Sequence, residues 1–215
     1  LIFTTSSNVP LPLVLGVLAL LGLFVARWPL PVGPNFLLGW LCGIAATFCL
    51  FFWLTDTIST FSNIPFPLAA GILALFAVVF SMPYGVLLQL VHPLRRRFGA
   101  GWIFLFPTLW VAGEWVQPAL FPYYQGVGQY RNPLTWQLAA VFGATGLSWL
   151  VLATNSALAE ILLSRREGRS PPWRWIGVVA ALFLANLGFG AWRHAAVETT
   201  LAAAPTLRVS LVQEW

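Results

Sequence analysis

Charge is scarce in these 215 residues. Only 8% are Asp, Glu, Lys or Arg, and lysine is missing altogether, so all 11 basic residues are arginine. An ordinary soluble domain is about 25% charged and about 45–50% apolar. Here 59% of residues are hydrophobic and the mean hydropathy is +0.82. That balance excludes a water-soluble globular protein and a disordered chain. Cysteine is limited to Cys42 and Cys49. They share one apolar run without CxxC or metal-ligand spacing, and they read as small buried apolar residues. Histidine is limited to His92 and His194, which fall on opposite membrane faces in the assignment below. A bis-histidine haem across the membrane is therefore not expected within this chain. Walker, HExxH and GxSxG motifs are absent, and no metal or cofactor is expected.

What is present is a series of long apolar runs: 11–26, 36–54, 64–91, 98–120, 136–163 and 175–192. At about 20 residues per membrane-spanning helix, they predict an all-α polytopic bundle of about six transmembrane helices, with kinks at Pro83 and Pro107. No room is left for a large soluble domain. Eight arginines (Arg27, Arg95, Arg96, Arg97, Arg165, Arg166, Arg169 and Arg174) fall on one side of the alternation, and Arg131, Arg193 and Arg208 on the other. The positive-inside rule makes the first side cytoplasmic. The net charge of +5 thus points to cytoplasmic loops rather than to a nucleic-acid partner. Loops 55–63 and 121–134 and the tail after Trp192 face outward, which in a bacterium is the periplasm. Trp28, Trp53, Trp102, Trp173, Trp175 and Trp192 lie near helix ends, as an aromatic belt would.

The tail after about residue 201 changes character. Ala202 to Pro205 reads as a linker, and 205–213, rich in β-branched and aliphatic residues, as a strand entering an outward α/β domain. Residues 1–201 form the helical domain on this reading. The chain opens on Leu1 and stops at Trp215 just after that strand, so both ends read as cuts.

Glu114 is the acid deepest within a run. It lies 17 residues after Arg97, about 25 Å at 1.5 Å per residue, in the outer half of the fourth helix. An ionisable group there faces a cavity or a partner; Arg131 in the following loop is the expected one. The loop 121–131 mixes Tyr123, Tyr124 and Gln129 with glycines that permit tight turns, as a lipid-headgroup rim or a packed re-entrant loop would. Gly143, Gly146, Ser148, Asn155 and Ser156 in the fifth helix and Asn186 in the sixth read as close helix packing with cross-helix hydrogen bonds.

Leu109-Trp110 with Glu114, Phe121-Pro122, Gly126 and Gly128-Gln129, the stretch from Gln137 through Gly143, Gly146, Asn155 and Ala159, and the run from Phe51 through Phe61 and Pro65 together resemble the membrane domain of apolipoprotein N-acyltransferases. Segment 205–213 is similar to the first strand of that family's nitrilase-like domain. Three positions depart from the family pattern: Tyr123 stands where it usually has Trp, Gln117 where an arginine is common, and Glu214-Trp215 follow Gln213. The resemblance implies transfer of an acyl chain from a phospholipid to the N-terminal diacylglyceryl-cysteine of a lipoprotein. A cysteine nucleophile, a glutamate base and an oxyanion-stabilising lysine would do the chemistry. This chain has no lysine, and both cysteines sit in the second run, so the triad cannot be assembled from it and no residue here is expected to be catalytic. Glu114, Tyr123, Tyr124 and Gln129 would line the outer rim of a lateral opening for substrate. The expected location is the bacterial inner membrane, and the expected partners are phospholipid and lipoprotein. The alternative is a non-catalytic scaffold subunit of a larger respiratory or photosynthetic complex.

Overall fold

A computed structural model describes residues 32–116 and 124–205. The first apolar run, Trp28, Tyr123 and all but Pro205 of the expected strand at 205–213 lie outside them. Among the described residues the chain is helical, without a strand. The helices are α1 (Val32–Phe51), α2 (Trp53–Ser62), α3 (Phe66–Phe80), α4 (Met82–Phe98), α5 (Trp102–Val116), α6 (Pro133–Trp136), α7 (Ala139–Arg166) and α8 (Trp173–Ala203), with short 3-10 turns at Gly99–Gly101 and Gln125–Gln129.

Three helical stretches are long and apolar enough to cross a membrane: Phe66–Val116, Ala139–Arg166 and Trp173–Ala203. A fourth is added if α1 and α2, bent by 60° at their junction, count as one. The first stretch reverses direction. Its 51 residues would reach about 76 Å as a straight helix, more than twice the ~30 Å hydrocarbon layer. Gly99 instead adopts φ +52°, a conformation glycine enters freely, and α5 returns along α4. The Tyr84 and Trp110 rings then meet edge-on with centroids 5.0 Å apart.

Proline marks these boundaries more than it kinks the helices. Pro65 and Pro67 sit at the start of α3, where a missing N–H costs nothing. Pro83 likewise falls in the first turn of α4, which follows directly on Ser81, whose backbone stays in the right-handed helical region (φ −89°, ψ −6°). Helices α4 and α5 continue through Pro93 and Pro107. The interior break of α7 is at Gly143 instead, with φ 67° and ψ −177°.

Between lipid-solvated helices, close packing and polar links hold the assembly together, because lipid is as apolar as leucine. Helices α1 and α4 meet on glycine. A Cβ on Gly39 would lie 2.7 Å from the Tyr84 carbonyl oxygen, and one on Gly85 2.8 Å from that of Phe36. Thr47 and Ser81 hydroxyls share a buried hydrogen bond of 3.1 Å across the same seam. Trp102, Ile103, Ala153, Ala157, Leu163 and Val179 form the main core, joining α5, α7 and α8. Leu87, Trp110 and Leu152 form a second cluster joining α4, α5 and α7. Trp102 is thus a core residue, only 3% exposed, and not part of a belt. Trp173, Trp175 and Trp192 are exposed, as belt residues would be.

Candidate functional site

The loop after α5 returns to the bundle through the 3-10 turn at Gln125–Gln129. Two hydrogen bonds fix it there. Glu114 Oε1 accepts the Gln125 backbone N–H at 2.9 Å, and Ser148 Oγ accepts the Gly126 backbone N–H at 2.8 Å in a buried contact. Gly126 is a glycine for reasons of space. A Cβ there would overlap the Ala144 carbonyl oxygen and lie 2.7 Å from the Ser148 nitrogen. The turn therefore packs backbone to backbone on α7, just beyond the Gly143 break. Asn132 then caps α6, its side chain accepting from the Leu134 and Thr135 N–H groups.

Beside this anchorage lies a cavity of about 40 Å³, lined by Pro83, Tyr84, Leu87, Trp110, Gly113, Glu114 and Gln125. A buried water needs roughly 10–15 Å³ of such space and two to four polar partners, so a small cluster of waters fits. The polar groups around it are convergent. Gln125 Nε2 donates to Tyr84 Oη at 3.2 Å, and Glu114 Oε2 is buried without a hydrogen-bond partner among the described residues. A carboxylate oxygen left so is costly unless a donor reaches it.

The residues read from sequence divide as follows. Glu114 lines the cavity, but its partner is the Gln125 backbone, not Arg131, whose Nε donates to Tyr130 Oη at 2.9 Å. Tyr124 is half-buried and precedes the 3-10 turn. Gln129 is buried at the other end of that turn and does not line the cavity. Tyr123 lies outside the described residues. Tyr84, Trp110 and Gln125 are among the other lining residues, and Tyr84 carries no signal in its own sequence neighbourhood, because only the α4–α5 hairpin brings it opposite Glu114. The amides expected to bond across helices do not do so among the described residues: Asn155 Nδ2 and both side-chain polar atoms of Asn186 are buried without partners there.

A second polar cluster closes the opposite end of α5. Arg95 Nε and Nη2 donate to Glu160 at 2.7 and 3.1 Å, and its Nη1 and Nη2 donate to Glu167 at 2.5 and 3.0 Å. Trp102 Nε1 and Ser164 Oγ donate to the same Glu160 carboxylate at 2.7 and 2.9 Å. One arginine thus ties α4, α5 and α7 through paired carboxylates, the geometry that guanidinium favours. Glu167 also accepts from Arg169. Hydrogen bonding from Arg95 first, and from Arg169 after it, lowers the Glu167 pKa to about 2.

Long apolar helices that leave many large hydrophobic side chains exposed on their outer faces define a polytopic helical membrane protein. A family model described as the apolipoprotein N-acyltransferase N-terminal domain matches residues 2–157, and the chain belongs to that family. It is 29% identical over 161 residues to the apolipoprotein N-acyltransferase of Geobacter metallireducens, covering 72% of this chain and 31% of that protein. It is 32% identical over 154 residues to that of Methylococcus capsulatus, covering 67% and 28%. It is 27% identical over 147 residues to apolipoprotein N-acyltransferase 2 of Leptospira interrogans, covering 66% and 22%. The matched part is thus under a third of the length of each of these relatives.

Proposed function

We propose that this chain is the membrane domain of an enzyme that moves an acyl chain from a phospholipid to the N-terminal diacylglyceryl-cysteine of lipoproteins. Residues 1–201 would form a bundle of about six spans in the bacterial inner membrane. Residues 202–215 would lead, on the periplasmic side, into a nitrilase-like domain carrying the cysteine, glutamate and lysine of the reaction. Family membership and the small share of each relative covered by the match support this reading. On the positive-inside rule the arginine-rich end would be cytoplasmic and the cavity and 3-10 turn would lie toward the periplasmic leaflet.

The observation that carries the site assignment is the bond from Glu114 to the Gln125 backbone. It fixes the loop that closes the cavity, and it leaves one carboxylate oxygen turned to the interior. Glu114, Tyr124 and Gln129, with Tyr123 beside them in sequence, form the rim past which lipid substrates reach the thiol. Their role is positioning, since none supplies the nucleophile.

The test uses the full-length polypeptide with a phospholipid donor and a diacylated lipopeptide acceptor, following acyl-enzyme formation and transfer separately. Glu114→Gln and Gln129→Ala are expected to slow at least one step about tenfold, a loss of about 1.4 kcal/mol of transition-state stabilisation. Unchanged rates in both variants overturn the rim assignment. A full-length polypeptide that forms no acyl-enzyme overturns the function itself and favours a scaffold subunit.

A further inference from the structure

We propose that the arginine end of the bundle is a docking surface for anionic phospholipid headgroups, engaged by Arg96, Arg97, Arg165 and Arg174. All four side chains are exposed. They flank the end of α4, the end of α7 and the start of α8. These ends are held together by the Arg95 network and by the Phe104–Trp175 contact, with ring centroids 5.6 Å apart. The carboxylates at this end, Glu160 and Glu167, are both turned onto Arg95, and Glu167 also holds Arg169. The other described acids are elsewhere. Asp56 is on α2, Glu114 lines the cavity, and Glu198 lies beside His194 toward the far end of α8. The four outer guanidinium groups are thus left facing outward with no acid opposite them among the described residues.

The depth of this end fits a headgroup layer. Phe98, Trp173 and Trp175 are large exposed rings here, and such rings settle at the membrane interface. Arg97 Cζ lies 6.0 Å from the centroid of the Phe98 ring, which holds the guanidinium at ring level, where phosphodiesters begin. Arginine meets a phosphate with two parallel N–H donors. A lipid with net negative charge is favoured over a zwitterionic one because no headgroup cation opposes the arginines. The inference rests on the chain being in a membrane and not on acyl transfer.

Native mass spectrometry of the full-length polypeptide in detergent, with equimolar phosphatidylglycerol and phosphatidylcholine, reads the preference directly. Phosphatidylglycerol should be retained about tenfold over phosphatidylcholine, within what several interfacial arginines supply. The combined Arg96→Gln, Arg97→Gln, Arg165→Gln, Arg174→Gln variant should bring the ratio to within about twofold, and the corresponding four Arg→Lys changes should restore most of it. If the Gln variant does not fold, the salt response of the unmodified protein decides. A rise from about 0.1 to about 0.5 M NaCl should cut the preference several-fold, since exposed charges are screened. Equal retention of the two lipids, full preference in the Gln variant, or indifference to salt overturns the proposal. So does selective displacement by inorganic phosphate at constant ionic strength, which would assign the surface to a soluble anion.

Discussion

Replacing Glu160 by glutamine keeps the side-chain volume and removes the charge on which three helices converge. The carboxylate accepts four hydrogen bonds, two from Arg95 and one each from Trp102 and Ser164. The amide offers a single acceptor oxygen and turns an NH2 toward donors. The Trp102 N–H, on a residue 3% exposed, then competes with Arg95, and one donor is left unmet at about 1–3 kcal/mol. Arg95 loses a charged partner but keeps Glu167, and its side chain is 14% exposed, so that part is about 1–2 kcal/mol. Ser164 can turn its hydroxyl to its own helix and adds little. The expected cost is about 3 kcal/mol, in line with breaking a buried ion pair from one side. For a chain of this size that is roughly a 6–12 °C drop in unfolding temperature, read as loss of a monodisperse detergent-solubilised peak after heating. The decisive comparison adds Arg95→Met and the double variant Arg95→Met with Glu160→Gln. Because each single change strands the other partner, the double should cost at least about 1 kcal/mol less than the two singles together. A drop under about 2 °C for Glu160→Gln, or strict additivity, would refute the reasoning.

Glu167 gives a pH signature. Its pKa is about 2 in the folded protein against an ordinary 4.5. The stability it contributes is therefore complete above pH 4.5 and lost as the pH falls toward 2. The unfolding temperature should drop across that window, and Glu167→Gln should flatten the drop; an unchanged slope would show that the Arg95 contact does not form in solution. Gly143→Ala should destabilise by about 1–3 kcal/mol, because φ 67° with ψ −177° is a region essentially reserved for glycine. A neutral thermal shift would mean that α7 is unbroken there. Gly126→Ala should detach the 3-10 turn from α7 and raise hydrogen exchange at residues 125–129, at a cost of about 1–3 kcal/mol for overpacking. Unchanged exchange there would contradict the backbone-to-backbone contact.

Helical class, the approximate limits of α1, α5 and α7 and the start of α8 were legible because long apolar runs and the glycines and prolines between them are local signals; α8 runs on past the expected end at Trp192 to Ala203. Glu114 was legible as a charge too deep to be accidental. What it touches was not. Arg131 is the first opposite charge that follows it in the chain, but the loop brings its own backbone N–H at Gln125 to the carboxylate first. Arg95 counted only as one of three arginines on the same side of the alternation, and only the meeting of α4 with α7 shows it held between two glutamates. Gly143 was read correctly as special and for the wrong reason. A Cβ there would have no neighbour closer than 3.9 Å, so its demand is a backbone angle and not helix approach. Trp102 was assigned to a belt because it follows a loop. Its N–H finds Glu160 from the inside, a pairing 58 residues apart that no local pattern carries.

The Arg95–Glu160 pair also sets an order of events during synthesis. The two residues are 65 positions apart, so at about 5–20 residues per second Arg95 leaves the ribosome some 3–13 s before its partner exists. For that interval its charge depends on water, which keeps this end of the α4–α5 hairpin at the aqueous edge while α6 and most of α7 are still being made. The arrival of Glu160, and of Glu167 soon after, lets the arginine leave the aqueous edge and draws Trp102 with it. Insertion and consolidation are thus separate stages in this protein, and the second waits on a single glutamate near the end of α7.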